Sequence, residues 1–374
     1  MALKTLRLIA FRSYARADLS VGSGAIALAG PNGAGKTNIL EAVSLLAPGR
    51  GLRRAQPTDF AREHAGLGWS VAATLDTPDD PTALWTGAEP DQRRTAKRDD
   101  KAVSVLSLGR VARILWLTPA LDRVFVEGPA ERRRFLDRIA LNFSPDHAEH
   151  ASRYEKAMRD RNRLLKDGVT DPKWLGALEA QMAESGLGMA EGRREALAGL
   201  LAAQDEESAF PRADATLEGT FEEDAPDAEA FRARLHDGRP KDGLAGRTLF
   251  GPHRSDLAVR YAAKDAPAST CSTGEQKALL VSLILANVRA LTTKTGAPPI
   301  LLLDEIAAHF DADRRALLFA EIEALGAQAW MTGIDRTEWA PVRSSRPCRT
   351  SFRRARRRRT GWRSTLRDRH VFRH

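Results

Sequence analysis

Cysteine is scarce in this chain of 374 residues, with Cys271 and Cys348 lying far apart. Their spacing fits neither a disulfide framework nor a zinc site, which favours a reducing cytoplasmic compartment. No apolar run approaches the ~20 residues that a membrane-spanning helix needs. Residues 1–14 alternate apolar and polar side chains and lack the apolar core of a signal peptide. Secreted and membrane-embedded proteins are therefore not expected.

Sustained heptads and internal repeats are also missing, which argues against a long coiled-coil arm. Positive charge is plentiful, with a net +9 and a pI near 9.9, but it is unevenly distributed. Residues 343–374 hold thirteen Arg and one acid, about +12, which leaves −3 for residues 1–342. The basic pI therefore does not by itself indicate that the body of the protein binds nucleic acid.

The Arg-rich tail has two interpretations. Residues 353–359 lack apolar periodicity and are predicted to be disordered, as in a tail that binds nucleic acid. Alternatively, the abrupt change in composition reflects a shifted reading frame at the true C-terminus, and we favour this second interpretation.

Hydrophobic patterning predicts an α/β protein with a helical insertion. Short strands are expected at 3–9, 25–29, 69–75 and 111–117, and helical periodicity dominates from 130 to about 203. A loosely patterned acidic stretch at 210–241 precedes a helix at 275–291 and an apolar strand at 299–303. We predict a head made of residues 1–117 and 247–342, a mainly helical lobe at 118–246 and a separate tail at 343–374.

A glycine-rich loop follows the second predicted strand and opens a helix. Its pattern G-x-x-x-x-G-K-[ST] predicts backbone N–H groups that surround phosphate oxygens at a helix N-terminus. Lys36 is expected to reach the β- and γ-phosphates, and the Thr37 hydroxyl to bind Mg²⁺. The loop consists of Gly30, Pro31, Asn32, Gly33, Ala34, Gly35, Lys36 and Thr37.

Two further stretches complete the nucleotide chemistry. The apolar run 300–303 ends in Asp304 and Glu305. Asp304 is expected to hold Mg²⁺, and Glu305 to polarise the water that attacks the γ-phosphate. Residues 272–277 read Ser-Thr-Gly-Glu-Gln-Lys, which fits both a capping box and a second anion-binding helix start. One chain thus carries two phosphate-type helix starts, which hints at nucleotide held between two copies.

The three motifs together resemble the ATP-binding-cassette (ABC) ATPase superfamily, with residues 272–276 as its signature turn. Other stretches are similar to the RecF family of bacterial recombination-repair ATPases, over about residues 1–335. These stretches are Phe11–Tyr14, Gly128–Pro129, Arg132–Asp137, Arg161–Lys166, Gly251–Leu257 and Ala307–Asp311.

The resemblance implies an ABC-type ATPase head, that is, a P-loop NTPase fold, with an inserted mainly helical lobe and with ATP and Mg²⁺ as cofactors. It implies a cytoplasmic homodimer that forms on ATP and binds double-stranded DNA and single-strand gaps. RecR and RecO would act with it in loading RecA. Ser272, Gly274 and Gln276 would contact the partner's ATP, and Asp311 would line the dimer seam. Thr332 stands where transporter cassettes carry a histidine, which implies slow hydrolysis.

Two alternatives stay open: an ATPase subunit of a membrane transporter, and a DNA-binding scaffold that does not hydrolyse ATP. DNA contacts are expected from a set of arginines, although such residues also form ordinary solvated faces. His253 is expected to have a structural role. The arginine set is Arg50, Arg53, Arg54, Arg132, Arg133, Arg134, Arg159, Arg161 and Arg163.

Overall fold

The structure is a computed structural model. It describes residues 1–62, 66, 68–78, 80–169, 171–224, 226–305 and 310–333, and the backbone of 349–353. The chain divides into two compact units, one of residues 1–121 and 291–374 and the other of residues 122–290. The domain boundaries predicted from sequence at 117, 246 and 342 remain a prediction.

Fourteen strands and nine helices occur in the described residues. The strands are β1 (Ala2–Phe11), β2 (Tyr14–Ser20), β3 (Ile26–Ala29), β4 (Trp69–Asp76), β5 (Thr82–Ala88), β6 (Thr95–Arg98), β7 (Lys101–Val103), β8 (Ile114–Leu117), β9 (Ala213–Glu218), β10 (Asp256–Tyr261), β11 (Ala266–Pro267), β12 (Ile300–Leu303), β13 (Ala329–Gly333) and β14 (Arg349–Arg353). The helices are α1 (Lys36–Ser44), α2 (Pro129–Phe143), α3 (His147–Lys166), α4 (Pro172–Ala202), α5 (Thr220–Asp224), α6 (Ala228–Asp237), α7 (Arg239–Ala245), α8 (Thr273–Thr295) and α9 (Ala312–Ala324).

A four-stranded parallel sheet lies at the centre of the first unit, in the order β3-β13-β12-β8. Its strands are almost wholly buried apolar runs, as expected for parallel strands covered on both faces. Because the strands are parallel, their carboxyl ends share one edge, and ligands bind at such edges in α/β folds. The loop after β3 and the acidic pair after β12 both follow that edge.

A seven-stranded antiparallel sheet completes this unit, in the order β14-β2-β1-β4-β5-β6-β7. β1 and β4 alternate buried and exposed residues, so one face of the sheet contributes to a core shared with α1 and the parallel strands. The buried Gln328 links the two sheets, since its amide exchanges hydrogen bonds with the backbone of Leu3. The strands predicted at 3–9 and 69–75 are confirmed.

The tail prediction mostly falls outside the described residues, which end at Arg353. The segment 349–353 forms β14 against the edge strand β2, a pairing that the sequence did not predict. Residues 354–359, the core of the predicted disordered run, are not described.

Helices α2 to α4 dominate the second unit, in agreement with the helical periodicity predicted from 130 to about 203. Pro172 is the first residue of α4, where its missing N–H costs nothing, and Asp171 caps the helix. The acidic stretch 210–241 is more ordered than predicted, because it contains β9, the short helices α5 and α6 and the start of α7. Phe221 and Phe231 from this stretch pack in a core with Tyr154 and Met182.

Arg161 corrects one expectation. Its guanidinium is fully buried and donates to Glu179 at 3.0 Å, to Asp242 at 2.7 Å and to the Leu235 carbonyl at 2.6 Å. A buried charge of this kind is retained only when it is paired. The prediction that Arg161 contacts DNA was therefore wrong, and this residue joins α3 to three other helices, α4, α6 and α7.

Helix α8 changes one expectation about membranes. Among the described residues, this 23-residue helix is long and apolar enough to span a bilayer by length and composition, whereas no membrane-spanning run was expected from the sequence. Most of it is buried within the protein, as in the core helix of a soluble domain. The helix alone is weak evidence for a membrane span.

Candidate phosphate-binding site

The glycine loop after β3 adopts the backbone conformations that its composition predicts. Gly30, Gly33 and Gly35 have φ values of 153°, 78° and 96°, where other residues are strained. α1 then begins at Lys36, with Gly35 as its N-cap and no side-chain cap. The first turn contains no acidic residue. The loop therefore presents an uncapped, positive helix end to an anion.

The turn between β1 and β2 packs on this loop. The Tyr14 hydroxyl donates to the Gly35 carbonyl at 3.2 Å. A Cβ at Gly35 would lie 2.8 Å from the Tyr14 hydroxyl and 2.9 Å from Ser13 Oγ, so only glycine fits here. Asn38 of α1 also donates to Ser13 Oγ, at 3.0 Å. The stretch 11–14 thus shapes the phosphate loop, a role that the sequence analysis did not assign.

Helix α1 is held at its middle by a buried carboxylate. Glu41 is fully buried and accepts two hydrogen bonds from Arg12, at 2.8 and 2.9 Å. Arg53 donates to the same carboxylate at 3.3 Å and to the Asn38 side chain at 2.8 Å. Charge-assisted pairs of this type are strong and directional. Arg53, predicted as a DNA contact, is thus engaged beside the phosphate loop.

The far end of α1 is closed by Arg94, which the sequence analysis missed. Its guanidinium donates to the carbonyls of Leu45, Ala47 and Gly49 after the helix, the last at 2.7 Å. Burial lowers the pKa of Arg94 to about 10, so the group stays charged at neutral pH. A cation at this end stabilises the helix dipole whose opposite end faces the loop.

Lys36 and Thr37 lie at the start of α1 with distinct partners. The Lys36 ammonium donates to the carbonyls of Gly30 and Pro31 in its own loop. The Thr37 hydroxyl donates to Asp304 Oδ1 at 3.0 Å, although 267 positions separate the two residues. The fold thus brings together the two residues that the sequence assigned to Mg²⁺.

The acidic pair after β12 is organised by Thr332 of the neighbouring strand β13. The Thr332 hydroxyl donates to Asp304 Oδ1 at 2.9 Å and accepts the Glu305 N–H at 2.8 Å. Glu305 has a left-handed backbone, with φ at 55°, and an exposed side chain. Such strain in a non-glycine residue persists where surrounding contacts impose it, and it is concentrated at functional sites.

The donor set fits Mg²⁺ bound to a nucleotide. Mg²⁺ favours oxygen ligands and usually keeps several waters and phosphate oxygens, with one or two groups from the protein. Thr37 and Asp304 supply a hydroxyl and a carboxylate within 3.0 Å of each other. In the part of the chain that the structure describes, no cluster of three or more His, Cys, Asp or Glu side chains is placed to hold a metal ion.

The signature-like turn at the start of α8 forms the predicted capping box. Ser272 N–H donates to Glu275 Oε2 at 2.9 Å, and Glu275 N–H approaches Ser272 Oγ at 3.4 Å. Gln276 is buried and donates to the Cys271 carbonyl at 2.8 Å, which shapes the turn. Ser272 is exposed and Gly274 is half-buried. The contacts of Ser272, Gly274 and Gln276 with nucleotide remain a prediction.

Comparison with known proteins agrees with this geometry. The family model described as "RecF/RecN/SMC N terminal domain" matches residues 2–344. A protein of Rhizobium rhizogenes named "DNA replication and repair protein RecF" is 49% identical over 352 residues, covering 91% of this chain and 94% of that protein. The Mesorhizobium japonicum protein of the same name is 48% identical, covering 89% and 91%.

This chain belongs to the RecF family.

Solved structures support the same fold at lower sequence identity. The structure described as the recombination mediator protein RecF-ATPrS in the RecFOR pathway has a TM-score of 0.80 at 21% identity, covering 92% of this chain and 94% of that chain. An Smc head domain from Pyrococcus furiosus has a TM-score of 0.50 at 18% identity, covering 91% and 92%. The expected ABC-type ATPase head is confirmed.

The RecF-like stretch 251–257 lies in the helical unit, where arginine side chains donate hydrogen bonds to it. Arg132 makes a bidentate pair with Asp256 at 2.7 and 2.8 Å, and Arg133 donates to the Ser255 carbonyl at 2.8 Å. The guanidinium of Arg193 reaches the Pro252 carbonyl at 2.6 Å. These contacts give Arg132 and Arg133 structural roles, whereas their predicted contact with DNA is not tested.

His253 has the structural role that was expected. Its Nε2–H donates to the Thr248 carbonyl at 3.0 Å, and in the neutral ring Nδ1 accepts the Tyr154 hydroxyl at 2.7 Å. Burial lowers the pKa of His253 to about 4, so the ring is neutral at physiological pH.

The RecF-like stretch 307–311 is described only in part. Asp311 caps α9, since its side chain accepts the Arg314 N–H at 2.8 Å, and it is exposed. Its place in a dimer seam remains a prediction. Residues 307–309 of the same stretch lie outside the described residues.

Proposed function

We propose that this protein is an ATP-dependent DNA-binding ATPase of recombinational repair and replication restart that acts in the cytoplasm. The hydrogen-bonded chain Thr37–Asp304–Thr332–Glu305 is the observation that carries the proposal. It joins the phosphate loop to a carboxylate for Mg²⁺ and to a candidate general base. The names of its relatives, which refer to DNA replication and repair, support the biological role.

In the proposed reaction, Lys36 and the α1 N-terminus bind the β- and γ-phosphates of ATP. Thr37 and Asp304 would hold Mg²⁺, which would supply positive charge to offset that of the phosphates. Glu305 orients the attacking water and accepts its proton. The Thr332 hydroxyl fixes the Glu305 backbone by accepting the Glu305 N–H. Since threonine stands where transporter cassettes carry a histidine, hydrolysis is expected to be slow.

The proposed active form is a homodimer with ATP at the interface. Ser272, Gly274 and Gln276 of one copy would complete the site around the γ-phosphate of the other, and Asp311 would lie at the seam. ATP binding then favours the dimer by mass action, and hydrolysis releases it. A dimer that closes only with ATP makes DNA affinity depend on nucleotide.

The proposed partners are double-stranded DNA, single-strand gaps and mediators of the RecR and RecO type, with RecA loading as the outcome. The family resemblance and the RecFOR pathway named for a solved neighbour support this assignment. Arg50, for example, is exposed at the surface, where an arginine can contact DNA phosphates. Such contacts are insensitive to base sequence.

The first experiment measures phosphate release with and without gapped DNA. Sedimentation of Glu305→Gln with ATP and gapped DNA accompanies it. This variant keeps the side-chain shape but cannot accept a proton, so it should bind ATP and accumulate as a DNA-bound dimer. Absence of ATP turnover in the parent protein would favour the scaffold alternative. A monomer under all conditions would contradict the shared site.

Two controls separate the proposal from trivial explanations. A variant that ends at Arg353 keeps β14 and loses the most basic part of the tail, so it tests whether the tail alone attracts DNA. Fractionation of cells tests the transporter alternative, which requires the protein to associate with membranes. DNA binding that disappears with the tail would remove the support for a DNA role of the body.

A further inference from the structure

The hydroxyl of the signature turn already has a partner within its own chain. Ser272 Oγ donates to Glu275 Oε2 at 2.9 Å, and the same carboxylate oxygen accepts the Ser272 N–H at 2.9 Å. Ser272 is exposed, so a ligand can reach it. A phosphate oxygen that accepts from this hydroxyl must therefore replace a carboxylate oxygen.

The second oxygen of this carboxylate is held by Lys264. The Lys264 ammonium donates to Glu275 Oε1 from the short 3₁₀ turn Ala262–Lys264, which precedes β11. Lys264 also lies over the Tyr261 ring, 5.6 Å from its centre. The Lys264 hydrogen bond, with help from Ser272, lowers the pKa of Glu275 to about 2, so the carboxylate is ionised at neutral pH.

The negative charge of Glu275 affects how readily a phosphate can approach Ser272. A phosphate at hydrogen-bond distance from Ser272 Oγ would lie next to a carboxylate that contacts the same atom. Two anions at such a separation repel each other, and a cation on the far side of one of them reduces the repulsion. Lys264 occupies this position, and all three residues belong to the unit of residues 122–290.

We propose that Glu275 and Lys264 are positioning residues that set the affinity of the signature turn for the terminal phosphate of a nucleoside triphosphate bound by a second copy. Glu275 holds the Ser272 hydroxyl until the phosphate replaces it. Lys264 offsets the carboxylate charge, so that the phosphate is tolerated. This inference rests on the proposed function, which assigns Ser272 to the partner's nucleotide.

The test compares two charge-removing variants in a Glu305→Gln background, in which ATP is not consumed. Glu275→Gln keeps the capping box, since glutamine also accepts the Ser272 N–H. It should lower the Kd of the ATP-dependent dimer by about 3- to 10-fold, because the repulsion is removed. Lys264→Met should raise the Kd by about the same factor, because the carboxylate is left uncompensated.

The double variant distinguishes compensation of charge from a simple effect on helix capping. Lys264→Met should have little effect when residue 275 is Gln, because no carboxylate remains to be offset. The effect of Lys264→Met alone should shrink as salt is raised. Lys241→Met, at an exposed lysine of the same unit, should leave the Kd unchanged.

Two results would overturn the inference. If both single variants weaken the dimer and lower the melting temperature together, the pair only stabilises the helix start. If both leave the Kd within about twofold of the parent, neither residue affects phosphate binding. Ser272→Arg separates these results from the proposed function, since it should abolish ATP-dependent dimerisation. A Ser272→Arg dimer like that of the parent would contradict the proposed function itself.

Discussion

Helices α1 and α8 both begin at sequences typical of phosphate binding, but their N-termini differ. The N-terminus of α1 has a glycine cap, no side-chain cap and no acid in its first turn. The N-terminus of α8 is closed by Ser272 and Glu275. An open helix end can receive an anion directly, whereas a capped end must exchange an internal partner. The two helix starts therefore suit the two proposed events, which are binding of nucleotide and then closure of a dimer on it.

The same contrast holds for other polar groups of the two units. In the phosphate-loop unit, Lys36 and Thr37 contact groups that a bound nucleotide and its Mg²⁺ could displace. In the unit of residues 122–290, Arg161 is enclosed by carboxylates and carbonyls of its own unit. Changes at Lys36 or Thr37 should therefore impair function, whereas a change at Arg161 should impair stability.

The largest effect is expected from Arg161→Met. It should lower the free energy of unfolding by about 4 kcal/mol, because the buried Asp242 would lose its cation and Glu179 would keep only Arg239. Denaturation in urea measures this loss. Arg159→Met on the same helix is the control, since its exposed pair with Glu155 contributes at most about 1 kcal/mol. Equal losses in the free energy of unfolding for the two variants would show that the buried ion pairs of Arg161 contribute no more than an exposed pair.

Lys36→Ala should reduce kcat/KM for ATP by roughly 100- to 1000-fold, or about 3–4 kcal/mol in the transition state. The loss of the ammonium removes charge stabilisation at the phosphates. The melting temperature should change little, because Lys36 donates to carbonyls of an exposed loop. Phosphate release measures the activity, and Lys101→Ala serves as the control in the same unit. Unchanged turnover would exclude the catalytic role.

Acid should destabilise the helical unit through His253. The pKa of this histidine falls from 6.5 to about 4 on folding because of burial. Between these values the unfolded chain binds the proton and the folded chain does not, so stability decreases as pH falls. The full loss is roughly 3 kcal/mol. Unfolding measured from pH 8 to pH 5 should show its onset, and His253→Asn should reduce this slope. An unchanged slope would assign the acid sensitivity to other groups.

The smallest effect is expected from Thr332→Val, which keeps the side-chain shape and removes the hydroxyl. Turnover should fall about tenfold, equal to about 1.4 kcal/mol, because the Glu305 backbone loses its partner. ATP affinity should stay within about twofold, since Thr332 does not belong to the phosphate loop. Thr332→Ser should retain most of the turnover. A loss of ATP affinity equal to the loss of turnover would place Thr332 in binding instead.

Much of the phosphate-loop unit was predictable because its signals are local. The strand, glycine loop and helix at 25–46 are adjacent in sequence, and β12 with Asp304 and Glu305 is a short apolar run followed by two acids. The roles of Thr332 and Arg94 could not be derived in this way. Thr332 meets Asp304 across 28 positions, and Arg94 meets Leu45 across 49. Such pairings depend on the order of the strands in each sheet and on the path of the chain between them, which local sequence patterns do not encode.

The arginines show that residue type alone does not predict a functional role. Arg161, Arg132 and Arg53 looked alike in sequence as basic residues suited to phosphate. Burial and partners separate them, since Arg161 is enclosed, Arg132 pairs with Asp256 and Arg53 engages Glu41. A guanidinium can serve a surface phosphate or a buried carboxylate with the same geometry, so its type alone does not decide its role.

The sequence by itself determined the nucleotide chemistry, because a phosphate loop needs glycines, Lys36 and Thr37 at fixed spacing whatever surrounds them. It also determined the capping box at Ser272, which depends on residues three positions apart. Only the tertiary structure decided which distant groups complete the site and which arginines are enclosed. Parallel strand pairing sets the positions of Thr37, Asp304 and Thr332 at one sheet edge, and packing of three helical elements encloses Arg161.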